Sequence, residues 1–92
     1  MAITRITQFE CRAGEEETMH TFLLNLIPYI EASPGCLGCE ALRAQAEPRQ
    51  FVMLERWINA DAHATSVANY PPEQMQSGMA LLASPPKGGF FV

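Results

Sequence analysis

The 92 residues make a single domain spanning positions 1–92, and alone it would bury only about 60–65% of its unfolded surface. Hydrophobic residues are 48% and charged residues 17% of the chain, with a net charge of −4; that apolar surplus points to a buried oligomer interface. The six basic residues, Arg5, Arg12, Arg43, Arg49, Arg56 and Lys87, form no run, which argues against a nucleic acid partner.

The first ten residues show no basic segment leading into an apolar one, so no signal peptide is expected. The greasiest stretch, Phe22 to Ile30, is interrupted by Asn25 and Pro28 and is too short to span a bilayer. Three cysteines, an odd number, do not make a disulfide framework. These features set the expectation of a cytoplasmic protein without a membrane partner.

Residues 2–12 read as a strand, with Ile3, Arg5, Thr7, Phe9 and Cys11 on one face and Thr4, Ile6, Gln8 and Glu10 on the other. Glu15 to about Ala32 reads as a helix. Glu15, Glu16 and Glu17 suit its N-terminal dipole, and Met19, Phe22, Leu23, Leu26, Ile27 and Ile30 recur at core-facing spacing. Pro28 removes a hydrogen bond and is expected to kink the last turn. Pro34-Gly35 breaks the chain before two strand-like runs, Leu37 to Ala46 and Phe51 to Trp57, joined by the turn Glu47-Pro48-Arg49-Gln50. The second run is apolar on both faces from Phe51 to Leu54, whereas a strand with one wet face alternates. Asn59 then caps a helix from Ala60 to about Asn69. Pro72 starts a shorter one, at some cost from Gly78, and Gly89 to Val92 forms a last short strand. The order β-α-β-β-α-(α)-β is that of an α+β, ferredoxin-like fold with a four-stranded antiparallel sheet and helices on one face. The bare face needs cover, and a second copy of the chain supplies it.

Several features together carry a family resemblance. They are Ala13-Gly14 before the acidic helix start, Pro34-Gly35-Cys36-Leu37-Gly38, Phe51-Val52-Met53-Leu54-Glu55-Arg56-Trp57, and Leu81-Leu82-Ala83-Ser84-Pro85-Pro86. Across nearly its whole length the chain resembles the antibiotic biosynthesis monooxygenase family. That resemblance implies a homodimer in which two sheets face each other as a dimeric α+β barrel, with a pocket in each subunit between sheet and helices. It further implies oxygenation of a phenol or hydroquinone with neither metal nor flavin, because such a substrate is its own reductant once deprotonated. Members that degrade haem carry an asparagine, a tryptophan and a histidine where this chain has Thr7, Ser66 and Gln76, so haem chemistry is not implied.

The candidate site residues follow. The family keeps a tryptophan beside the pocket at the position of Trp57, while a large core residue is the plainer reading. His63 lies where some cofactor-free members place a tyrosine. It shares a helical stripe with Val67 and Tyr70, making His63 and Tyr70 candidate titratable groups. A competing stripe, Ala60, Ala64 and Ala68, would turn His63 to solvent. Thr7 and Arg5 share a strand face, and Arg5 would pair with a phenolate if that face meets the pocket; otherwise it is a surface arginine. His20 borders the apolar stripe of the first helix. Cys36 and Cys39 form a CxxC that lacks further ligands at zinc spacing and does not sit at a helix start, so buried thiols are the favoured reading and no metal is expected. Two functions remain open: a cofactor-independent monooxygenase acting on a small aromatic substrate, and a non-catalytic dimeric barrel that binds a hydrophobic ligand or serves as an interaction domain.

Overall fold

The Ile-, Thr- and Phe-rich start of the chain is strand β1 (Ile3–Glu10) in the computed structural model, which describes residues 2–92. It is followed by α1 (Glu16–Ala32), β2 (Cys36–Arg43), β3 (Gln50–Trp57), α2 (Ala60–Asn69), α3 (Pro72–Met79) and β4 (Lys87–Phe91). The strands pair antiparallel in the order β2-β3-β1-β4. This is the ferredoxin-like arrangement expected from the element order.

Local chemistry explains the boundaries. Glu16 and Glu17 occupy the first turn of α1, and a Glu16 carboxylate oxygen accepts from the Gly14 N–H at 3.2 Å. The helix runs on through the exposed Pro28 to Ala32, so the proline expected to kink the last turn does not end it. In the β2–β3 connection the Gln50 N–H donates to the Glu47 carbonyl at 3.0 Å, closing a turn with Pro48 at its second position. β2 ends at Arg43 rather than Ala46. The chain is already turning there, with Ala44 N–H donating to the Gln50 carbonyl and Arg43 Nε to the Pro48 carbonyl. Asn59 caps α2, its Oδ1 accepting from the Ala62 N–H at 2.9 Å. Gly78 is buried in α3 because the Phe22 ring lies where a Cβ would stand.

The two sheet faces are treated differently. On the inner face Phe9 pairs with Phe51, Thr7 with Met53, and Arg5 with Glu55. Phe51, Met53 and Trp57 form the core with Met19, Leu23 and Ile30 of α1, together with Cys11 and Leu82. On the outer face Ile6 pairs with Leu54, and Val52 with Leu42. Among the described residues none covers this side, and Leu42 and Phe91 remain 46% and 54% exposed. The doubly apolar pattern of β3 is therefore accounted for by this chain on one face only. A register shift between Cys36 and Gly38 sets Cys36 opposite Trp57 and Cys39 opposite Glu55. Residues three apart normally point to opposite faces; the bulge turns both thiols inward. Among the described residues no helix is long and apolar enough to cross a membrane.

Candidate active site

A cavity of about 310 Å³ lies between the inner face and the helices. Arg5, Thr7 and Glu55 form its floor, α1 contributes Phe22, Leu26 and Tyr29, α2 contributes His63, Ser66 and Tyr70, and α3 contributes Met75 and Met79. Its size falls at the lower end of small-molecule pockets, roughly 300–1,000 Å³, which suits a compact aromatic. A larger groove of about 450 Å³ at another end of the sheet is lined by exposed Gln8, Leu42, Gln50 and Lys87 and contains no buried polar side chain.

The rotation of α2 decides which residues enter the cavity. Tyr29 donates its hydroxyl to the Ser66 carbonyl at 2.8 Å, and the Ser33 and Ser66 hydroxyls are 2.8 Å apart. The rings of Tyr29 and Tyr70 meet edge to face at 5.0 Å. This tie between α1 and α2 turns His63, Val67 and Tyr70 toward the cavity and leaves Ala60, Ala64 and Ala68 exposed.

Two charged side chains share the floor. The Arg5 guanidinium lies 4.9 Å from the centre of the Phe90 ring and rests against Gly88, where a Cβ would overlap it. Arg5 Nε is buried with no hydrogen-bond partner. Glu55 is only 7% exposed, and its Oε1 accepts from Trp57 Nε1–H at 3.1 Å. Burial raises the Glu55 carboxyl above its ordinary value, opposed by the Trp57 hydrogen bond and by Arg5. The His63 imidazole packs edge-on against Trp57 at 5.7 Å and Phe90 at 5.3 Å. Burial first, and then the positive charge of Arg5, lower its pKa from 6.5 and keep it neutral near pH 7. Burial raises the Tyr70 phenol, which stays protonated.

A sequence profile of the antibiotic biosynthesis monooxygenase family matches residues 2–75. The chain belongs to the antibiotic biosynthesis monooxygenase family. Solved structures share its fold at low identity. SnoaB from Streptomyces nogalater, a cofactor-independent oxygenase, superposes with a TM-score of 0.83 at 18% identity, covering 99% of this chain and 91% of that one. A protein from Nitrosomonas europaea described by the same family name has a TM-score of 0.90 at 15% identity over 98% and 88% of the two chains. A protein from Methanosarcina mazei Go1 has 0.88 at 14% over 99% and 91%. No curated protein sequence matches significantly.

Within this antibiotic biosynthesis monooxygenase domain, Arg5, Thr7, His63 and Tyr70 are brought together around one cavity. Trp57 is not in the wall. It is fully buried one layer behind, because its indole N–H is taken by Glu55 and its ring by His63. His20 lies outside the cavity, with its ring 5.9 Å from that of Phe51. Of the positions that haem-degrading relatives use, Thr7 and Ser66 line the cavity and Gln76 is exposed. A cavity residue not expected from the sequence is Glu55. Its signal was parity: it alternates with Phe51, Met53 and Trp57, so a carboxylate stands at an inward position.

Proposed function

We propose that the protein is a monooxygenase that oxidises a phenolic or hydroquinone-type small molecule with O2 in the cavity between sheet and helices. The substrate supplies the electrons, and neither metal nor flavin takes part. Besides family membership, one observation carries this reading. An apolar cavity of aromatic size holds a charged donor, Arg5, beside two proton acceptors, His63 and Glu55.

The chemistry balances without an added reductant. The substrate hydroxyl gives its proton to a group of the wall, and the oxyanion is stabilised by Arg5, whose Nε has no competing partner. The electron-rich anion reduces O2, and one oxygen atom bonds to a ring carbon. The hydrogen of that carbon and the hydroxyl proton leave with the second oxygen as water, converting a phenol to a quinone. Thr7 and the protonated Tyr70 are further hydrogen-bond donors to substrate. Trp57 acts indirectly by holding Glu55, and His20 has no part in this scheme.

The working form is a homodimer in which a second copy covers Ile6, Leu42, Val52 and Leu54. These four side chains form an apolar patch on the outer face that no described residue covers, and a domain of this size is marginal alone. Three free thiols suit the reducing cytoplasm.

Oxygen uptake with a panel of hydroquinones and naphthols, with metals chelated, tests the function. Substrate-dependent uptake that yields quinone is expected. Tight binding of the same compounds with no uptake would favour the ligand-binding barrel, to which the apolar Phe22, Leu26, Met75 and Met79 walls are also suited.

A further inference from the structure

Glu55 and Arg5 face each other in register across β3 and β1, yet they form no ion pair. The guanidinium is drawn toward β4 by Phe90 and Gly88, and the carboxylate toward Trp57. The other titratable groups close to them are uncharged. Burial pushes the Cys39 thiol, opposite Glu55 on β2, up to about 12. His63 is kept neutral and Tyr70 protonated. The floor thus sets one guanidinium beside one carboxyl group in apolar surroundings, each with hydrogen-bonding capacity unused.

We infer that the Arg5–Glu55 floor selects a neutral hydroxylated aromatic over an aromatic acid, with Arg5 receiving the hydroxyl oxygen and Glu55 receiving its proton. This rests on the cavity being the substrate site.

Charge counting supports the choice of acceptor. A carboxylate ligand would leave Arg5, Glu55 and itself with a net negative charge in an apolar cavity, which is costly. A phenol brings no charge. If its proton goes to Glu55, the products are a neutral carboxylic acid and a single ion pair between the phenolate and Arg5. If the proton went to His63, four charges would be crowded together, two of them the like charges of His63 and Arg5. The O–H bond breaks, its proton bonds to a Glu55 oxygen, and its electron pair stays on the phenolate oxygen facing Arg5. No oxidant enters this step.

The test is anaerobic calorimetry at neutral pH with 2-naphthol and with 2-naphthoate, its ionised counterpart. Wild-type protein should bind 2-naphthol at least about tenfold more tightly, without net proton exchange. It should bind 2-naphthoate only with uptake of about one proton, read from the buffer dependence of the heat. Glu55→Gln leaves Arg5 uncompensated, so the preference should invert toward 2-naphthoate and the proton uptake should vanish. Arg5→Gln should lose 2-naphthoate binding. Wild-type preference for 2-naphthoate, or weak binding of both ligands, overturns the inference. So does a folded Glu55→Gln protein with unchanged preference. The wild-type proton count decides the matter even if the variant fails to fold. Because the readout is binding, absent oxygen uptake would count against oxygenation while leaving this selectivity standing.

Discussion

The two faces of β3 lie on the same eight residues and have opposite fates. Phe51, Met53, Glu55 and Trp57 are all buried, and Trp57 and Arg5 offset part of the desolvation of Glu55, whose carboxyl is still raised above its ordinary value. Val52 and Leu54, pointing the other way, are apolar yet only half-buried. The buried face holds a carboxyl group among apolar side chains, whereas on the outer face the polar Gln50 and Arg56 stand exposed at either end of the apolar pair Val52 and Leu54. Polarity inside is tolerable when each group finds a partner; an apolar outside calls for a second surface.

The largest expected break in this comparison comes from Glu55→Gln. If Glu55 takes the substrate proton, turnover should fall by about 10²–10⁴, while His63→Ala lowers it less. Steady-state kinetics on a substrate found by oxygen uptake would rank the two, and the opposite ranking would return the proton to the histidine expected from the sequence.

Matched truncations on the two faces come next. Met53→Ala should cost about 2–5 kcal/mol in denaturant unfolding, since its site is fully enclosed. In a lone chain Leu54→Ala should cost about 1 kcal/mol or less. In a dimer its cost should approach that of Met53→Ala and depend on protein concentration. Sedimentation of the wild type as a monomer at micromolar concentration would remove the dimer. Leu54→Asp should separate the copies.

A smaller effect is the pH dependence of stability, which belongs to the inner face alone. His63 has a lowered folded pKa, so its contribution is complete above 6.5 and is lost as pH falls through the folded value. Glu55 has a raised one, so its contribution is greatest below 4.5 and is lost as pH rises through the folded value. The two slopes oppose each other in mildly acidic solution. Glu55→Gln should therefore steepen the acid loss of stability, and His63→Gln should reverse its sign. Denaturant midpoints across pH 4.5 to 6.5 measure both.

The smallest effect concerns the inward thiols. With its thiol pushed up to about 12, Cys39 should react with a disulfide reagent much more slowly in the native protein than in denaturant.

The parts of this structure that were readable in advance depend on local physics. The Met19–Ile30 stripe gave α1, Asn59 gave the start of α2, and Pro48 gave the hairpin turn. Missing were the consequences of contacts between distant residues. Whether His63 or the alanine stripe faced inward depended on Tyr29 and Ser33 meeting Ser66. Whether Trp57 stood in the wall or behind it depended on its indole N–H choosing Glu55. The inward position of Glu55 is masked in the sequence because the continuous apolar run from Phe51 to Leu54 hides the alternation that places it with Phe51, Met53 and Trp57. Gly78 looked like a defect in a helix and is the space that the Phe22 ring occupies.

The strand order carries a kinetic consequence. β2 and β3 are joined by a short turn and form a local hairpin, whereas β1 must pair with β3 and with β4, the last strand. Closing those distant contacts is the entropically slow part of assembly. Arg5 and Thr7 lie on β1, and Gly88 and Phe90, which hold the Arg5 guanidinium, lie on β4. A chain that has made only its hairpin therefore presents Glu55 and Trp57 without their cation. The floor becomes electrically balanced only when the two ends of the fold meet, so refolding should restore ligand binding later than it restores the hairpin.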